Sequence, residues 1–300
     1  MMESPLLFPV KLKDDTIFVL DETLLPFKEE YIRVSHIEEA LAVLREMKTR
    51  SLGQVLLYFY SCALFKGQIS FDEIAQKFLA ARPTFDFSML AYIMHQGVSK
   101  GARPQDVAQG FVKTFDAARK RRAVYLASIL PGPANILTIC NVNGELLYLY
   151  DELKKLNKEG IFYVCETRPY LQGTRQTFWE LDKNQITAKV ICDNQAASLM
   201  AKGLVNCVVT GADRATTNGD IVNKVGTYAL ARLAQYFKIP FYPLTQYPRN
   251  IDIDKITIEE RPKDEAFMFL SSPADMDAFY PAFDPVKSEF VTKPIMLEMA

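Results

Sequence analysis

The spacing of apolar residues along the chain changes near residue 130. Before that point they recur at three- and four-residue intervals, the period of helices that bury one face. Ile37, Leu41 and Leu44 predict a helix from Ser35 or His36 to Met47, and Phe71 to Leu79, Phe87 to His95 and Pro104 to Arg121 predict three more. Val55 to Phe65 is apolar nearly all round, which marks a helix buried on every side. Asp21 to Pro26 reads as a strand end leading into a turn. The first half is therefore expected to be mostly helical.

Leu130-Pro131-Gly132-Pro133 forbids regular structure, because proline lacks the backbone donor and its neighbours are restricted. It divides an expected helical domain, residues 1–130, from a second domain, residues 131–300. Beyond it, short apolar runs alternate with helical stretches. The runs are Ile136 to Cys140, Phe162 to Glu166, Ala188 to Cys192, Cys207 to Thr210 and Phe241 to Leu244; the helices are Leu146 to Lys158, Leu171 to Asp182, Asn194 to Lys202 and Ile221 to Phe237. Alternation of this kind predicts an α/β fold, a Rossmann-like parallel sheet with helices on both faces. A turn at Asn218-Gly219 and a cap at Asp220 start the last helix near Ile221. Lys224 then lies in its first turn, where the macrodipole disfavours a cation unless an anion is near.

The strand ends carry the polar chemistry. Cys140-Asn141, Glu166-Thr167-Arg168, Asp193-Asn194 and Asp213-Arg214 all fall at carboxyl ends, hence on one rim of the sheet, where open α/β sheets bind ligands. Asp193-Asn194 fits a helix cap as well as a ligand role. Cys165, Cys192 and Cys207 lie within strands and read as inert core thiols, whereas Cys140 ends its strand and is either a half-buried structural thiol or a reactive group.

Composition narrows the classes. With 49% hydrophobic and 24% charged residues in 300, the chain has material for a large core. Thirty-five basic against 36 acidic residues give a net charge of −1, so nothing favours nucleic acid or an anionic membrane. The one dense basic run, Arg119 to Arg122, closes a helical pattern and reads as a solvated helix end. The longest uncharged apolar run, Ser51 to Phe65, is too short to cross a bilayer, and no signal segment opens the sequence. Five cysteines without C-x-x-C spacing fit free thiols in a cytoplasmic protein. His36 and His95 have no partner at metal-binding spacing, so no histidine-based metal site or Ser-His-Asp triad is expected. Proton transfer then falls to Cys, Asp, Glu, Lys or Tyr in an environment that shifts its pKa.

Several stretches resemble the methylthioribose-1-phosphate isomerases, which share a fold with the regulatory subunits of translation initiation factor 2B. They are Glu166-Thr167-Arg168-Pro169-Tyr170-Leu171-Gln172-Gly173-Thr174-Arg175, Asp193-Asn194, Gly211-Ala212-Asp213-Arg214, Asn218-Gly219-Asp220 and Asn223-Lys224-Val225-Gly226-Thr227. Thr138-Ile139-Cys140-Asn141, Arg82-Pro83-Thr84 and Ile258-Glu259-Glu260-Arg261 add to the likeness, which is strong from Leu137 to Arg261 and weak in the helical half. The resemblance implies conversion of an aldose 1-phosphate to a ketose 1-phosphate without metal or organic cofactor, and a homodimer. It implies Asp213 as the acid that opens the ring and Cys140 as the group handling the C2 proton. Arg82 and Arg50 become phosphate ligands, and Gln172, Asn223 and Lys224 hold sugar hydroxyls or orient the catalytic carboxyl. A carboxylic acid stays protonated near neutrality only when dry, so an apolar, closable pocket is expected.

The sequence also departs from that pattern. Arg50-Ser51-Leu52-Gly53-Gln54 stands where the isomerases have Arg-Gly-Ala-Pro-Ala-Ile-Gly, adding bulk where backbone approaches phosphate. Val142, Asn143, Gly144 and Glu145 replace small residues, and a carboxylate at Glu145 repels a phosphate unless it points away. A non-catalytic protein like the initiation-factor subunits and a ribose-1,5-bisphosphate isomerase are the alternatives.

Overall fold

The structure is a computed structural model and describes residues 2–82, 85, 87–268 and 276–299. It contains two compact units, essentially residues 3–117 and 118–299, which divide within one long helix that ends beside the expected boundary at 130.

The N-terminal unit opens on strands rather than helices. Val10–Lys13 (β1), Thr16–Leu20 (β2) and Tyr31–Val34 (β3) form an antiparallel sheet in the order β1-β2-β3. Ile17, Val19 and Val34 are fully buried from it. The strand end read at Asp21 is the end of β2, but the expectation of a mostly helical first half missed the rest of this sheet, since each strand is four or five residues long and buries only part of one face. The helices follow as expected: Ile37–Arg45 (α1), Leu52–Leu64 (α2), Phe71–Ala81 (α3), Ser88–Ser99 (α4) and Pro104–Ile129 (α5). Glu39 accepts from the backbone N–H groups of Ser35 and His36, which close the first turn of α1 and hold its carboxyl below the usual range. Helix α2 is the core of this unit. Every residue from Leu52 to Ala63 except Val55 is buried, and Tyr58 packs edge-on against Phe78 while its hydroxyl donates to the Phe71 carbonyl. At roughly 1.5–3 kcal/mol for each large apolar side chain removed from water, this accounts for a run without charges.

The C-terminal unit is the parallel sheet. Its strands are Ile136–Thr138 (β4), Phe162–Cys165 (β5), Ala188–Ile191 (β6), Cys207–Gly211 (β7), Phe241–Thr245 (β10) and Ile295–Met296 (β12). Their order, β12-β10-β7-β4-β5-β6, runs outward from β4 in both directions. The chain thus reverses between β4 and β7, and that reversal is where such sheets open a crevice. Leu137 and Ile139 join Val208 and Phe241 on the face covered by Ala196–Ala201 (α8) and Thr227–Phe237 (α9). On the opposite face Tyr150 of Glu145–Lys155 (α6) packs on Phe162. Five strands match the expected runs; β12 was not foreseen, being two residues long.

One region differs more. Ile221–Lys224 is not the start of a helix but a strand (β9), paired antiparallel with Arg214–Ala215 (β8) and Phe283–Val286 (β11). Ile221 and Val222 are β-branched and buried, and the Asn218-Gly219 turn folds β9 back on β8 as a hairpin. Asp220 does not cap the expected helix; its carboxylate accepts from the N–H of Ser288, the first residue of a short 3-10 turn, at 2.7 Å. Helix α9 begins only at Thr227, after Gly226 at φ 102°, and its free N–H groups meet Asp284, which accepts from Gly226 at 2.8 Å and Tyr228 at 2.9 Å.

Candidate active site

Cys140 lies two residues past the end of β4, and Asp213 two past the end of β7, on the two strands that flank the topological reversal. Register puts Leu137 opposite Val208, so the two loops leave the sheet side by side. Their contact is visible at Gly211. A Cβ added there would stand 3.2 Å from Val142 and 3.6 Å from the amide oxygen of Asn223. A bare backbone at Gly211 lets the Cys140 loop and the β9 strand close on each other.

Cys140 is partly exposed and has φ 65°, a left-handed conformation that costs a non-glycine residue on the order of 1–3 kcal/mol. The surroundings hold it there. Its N–H donates to Thr167 Oγ1 at 2.9 Å, and its carbonyl accepts from Thr177 Oγ1 at 2.5 Å. Thr167 also donates to the Cys165 carbonyl at 3.0 Å. Asn141 turns inward, its Nδ2 donating to Thr177 at 3.1 Å and to the buried Glu180 at 3.3 Å.

Thr177 reaches Cys140 because Gly173–Phe178 is a π-helical turn ahead of Trp179–Lys183 (α7), in place of the regular helix expected from Leu171. Gly173 is forced by packing: any Cβ there would fall 1.8 Å from the Cys165 carbonyl oxygen. The preceding Gln172 is 1% exposed, and its Oε1 has no hydrogen-bond partner among the described residues. An orphaned buried acceptor beside the end of β5 is what a ligand hydroxyl would satisfy.

Asp193 is neither a helix cap nor a free ligand. Its carboxylate accepts the backbone N–H groups of Thr167 at 2.8 Å and Arg168 at 2.7 Å, tying the end of β6 to the loop after β5. Asp213 is exposed, with its N–H donating to the Val222 carbonyl at 2.8 Å; the dry carboxyl foreseen from sequence is not present in this state. Asn223 is buried and donates to Thr227 Oγ1 at 2.9 Å. Lys224, its neighbour along a strand, turns to the other face. There its Nζ lies 4.9 Å from the centre of the Phe283 ring and 3.5 Å from the Tyr280 hydroxyl. The lysine is thus buried on aromatic faces, not set against a helix dipole.

The basic run is not a solvated helix end either. Arg119 and Arg122 lie within α5 and are 0% and 4% exposed. Arg119 donates to the Asn143 carbonyl at 3.0 Å, bracing the Cys140 loop. Arg122 grips Glu145 at 2.5 and 3.0 Å and donates to the Thr245 carbonyl at 2.7 Å. Glu145 is therefore spent on an internal ion pair, and the repulsion it threatens toward an anion is neutralised. In sequence both arginines stood out only as parts of a solvated run; the signal against that reading is that the helix runs on past Arg122 to Ile129. Cys165 and Cys207 are buried, and burial pushes both thiols up, Cys207 to about 12. Cys192, expected in the core, lies just past β6 and is exposed.

Arg50 and Arg82 belong to the N-terminal unit. Arg50 precedes α2, its N–H donating to the buried Glu22 at 3.0 Å, and Arg82 closes α3 and is 9% exposed. The chain turns back over residues 65–70, so both arginines lie at the end of the α2–α3 pair away from that turn. Ser51-Leu52 begins α2, with Leu52 buried against the core. Pro83 and Thr84 lie outside the described residues.

Comparison with known proteins agrees with this geometry. The Initiation factor 2 subunit family matches residues 75–296. Methylthioribose-1-phosphate isomerase of Aquifex aeolicus is 32% identical over 95% of this chain, which spans 66% of the Aquifex protein's length; that of Caldicellulosiruptor saccharolyticus is 32% identical over 93% of this chain and 92% of its own. The chain belongs to the Initiation factor 2 subunit family, with the methylthioribose-1-phosphate isomerases. Among solved structures of the family, 5-methylthioribose 1-phosphate isomerase from Pyrococcus horikoshii superposes with a TM-score of 0.79 at 25% identity, covering 96% of this chain and 90% of that one. The delta subunit of translation initiation factor eIF-2B from A. fulgidus gives 0.76 at 28%, covering 96% and 93%. Family membership thus spans enzymes and translation-factor subunits on one fold, and the site residues carry the functional distinction. Among the described residues no helix is long and apolar enough to cross a membrane.

Proposed function

We propose that this chain is an aldose–ketose isomerase acting on 5-methylthioribose 1-phosphate or a closely related 5-substituted ribose 1-phosphate. The observation that carries the reading is the pair Cys140 and Asp213, held at the ends of the two strands flanking the topological reversal. The names of the relatives support it.

In such a substrate the phosphate on O1 prevents spontaneous ring opening. Asp213, protonated, gives its proton to the ring oxygen as the bond from C1 to that oxygen breaks, and the oxygen becomes the C4 hydroxyl. Its exposure makes the bound sugar itself the means of drying it, since a carboxyl keeps its proton near neutrality only when water is displaced. Cys140 as thiolate removes the proton from C2, leaving C1 and C2 doubly bonded. The Cys140 thiol, after exchange with solvent, delivers a proton to C1, and loss of the O2 proton to the Asp213 carboxylate gives the ketone at C2 with the phosphate still on O1. Gln172 and Asn223 hold sugar hydroxyls, Lys224 orients the site, and Arg50 and Arg82 take the phosphate, Arg82 with two parallel hydrogen bonds.

The test is turnover of 5-methylthioribose 1-phosphate followed by NMR in deuterated water. Wild-type protein is expected to form the ribulose 1-phosphate with deuterium at C1, and Cys140→Ala and Asp213→Asn each to lose about a thousandfold or more in kcat. A folded wild-type protein that neither turns over nor binds the sugar phosphate would leave a non-catalytic role in its place. Product without deuterium would replace the thiolate step by direct hydride transfer.

A further inference from the structure

Two threonines that the reaction itself does not require are arranged around Cys140. Thr167 follows β5 and is 0% exposed; Thr177 is the next-to-last residue of the π-helical turn and is 1% exposed. Each hydroxyl is used twice. Thr167 Oγ1 accepts the Cys140 N–H and donates to the Cys165 carbonyl, while Thr177 Oγ1 donates to the Cys140 carbonyl and accepts from Asn141 Nδ2. The peptide groups on both sides of Cys140 are therefore fixed by hydroxyls from elements distant in sequence, and the residue between them is held left-handed. Loss of either hydroxyl takes a hydrogen-bond partner from one of the two Cys140 peptide groups and from a second polar group beside it.

We infer that Thr167 and Thr177 are positioning residues: together they clamp the Cys140 backbone in its left-handed state and so aim the thiol at the substrate. The inference rests on the isomerase reading for its kinetic consequence, but the clamp itself is a property of the free protein. Valine keeps the shape of threonine and removes both hydrogen bonds; serine keeps both bonds and removes a methyl group. That pair separates positioning from packing.

The experiment reads two quantities in Thr167→Val, Thr177→Val and the matching serine variants. The first is the rate of Cys140 alkylation by iodoacetamide relative to that of exposed Cys192 in the same molecule, followed by peptide mass spectrometry from about pH 6 to about pH 10. The second is the split of kcat and KM for 5-methylthioribose 1-phosphate. Valine is expected to change the Cys140 to Cys192 ratio at least about threefold and to lower kcat tenfold or more, to roughly a hundredfold, with KM nearly unchanged. Serine is expected to restore both. Folded valine variants with a wild-type alkylation ratio overturn the clamp, as do serine variants that lose as much as valine. Should a valine variant not fold, the smaller alanine is read in its place by the same criteria. If the wild-type protein proves not to be an isomerase, the alkylation ratio alone decides the clamp, so the two failures are distinguishable.

Discussion

Cys140 and Asp213 leave adjacent strands two residues past their ends, yet the chain fixes them by different means. Cys140 is held by side chains: hydroxyls of Thr167 and Thr177 on its own peptide groups, and Arg119 on the carbonyl of Asn143 three residues on. Asp213 is held by backbone, through its own N–H to the Val222 carbonyl and a hairpin whose far strand, β9, is paired in turn with β11. A loop made rigid by side chains needs particular residues at remote positions, whereas a hairpin needs little beyond β-branched residues and a turn. Sequence change is therefore expected to be felt far more sharply on the Cys140 side.

The largest break to that contrast comes at the base of the Cys140 loop. Glu145→Gln leaves Arg122 buried without its counter-charge, and removing one member of a buried pair costs about 3–5 kcal/mol. A loss of unfolding free energy in urea titration of less than about 1 kcal/mol would show the loop to be anchored elsewhere. An intermediate effect tests the strands flanking β4. Burial raises the thiols of Cys165 and Cys207, the latter from 9.0 to about 12. Between those values the unfolded chain releases a proton that the folded chain keeps, so the stabilisation is complete below about pH 9 and declines as pH rises. The slope is at most about 1.4 kcal/mol per pH unit for each thiol. Replacing Cys207 by alanine flattens this alkaline decline in urea titrations, and an unchanged slope would contradict the assignment. The smallest change belongs to the Asp213 side. Asp284→Ala removes the cap on α9 behind the hairpin and is expected to cost about 1 kcal/mol, with the Cys140 alkylation ratio unmoved.

Much of this was legible in the sequence because the sheet of the C-terminal unit is buried on both faces and writes itself as apolar runs. Four of the five foreseen runs end within one residue of their observed strands, and the fifth, Ile136 to Cys140, within two, which is why Cys140 and Asp213 lie past the carboxyl ends of β4 and β7 as expected. Short strands were not legible. β1 and β2 each bury part of a face, and in β9, buried throughout but four residues long, the apolar positions of Ile221 and Val225 mimic a helical period before Gly226 interrupts it. Nor can a local pattern reveal that a charge is bound from far along the chain. Arg122 meets Glu145 and the carbonyl of Thr245, so a run that looks solvated from its own composition is a buried cross-brace.

Asp193 has a consequence that reaches inward. It stands at the end of β6, the outer strand of the sheet, and holds the N–H of Thr167 after β5, whose hydroxyl in turn holds the N–H of Cys140 after β4. Three neighbouring strand ends are thereby threaded on one line of hydrogen bonds. The outermost bead of that line is partly open to water while the innermost carries the thiol. A substitution at the sheet's margin such as Asp193→Asn is therefore expected to be felt at Cys140, two strands away, without touching the loop that carries it.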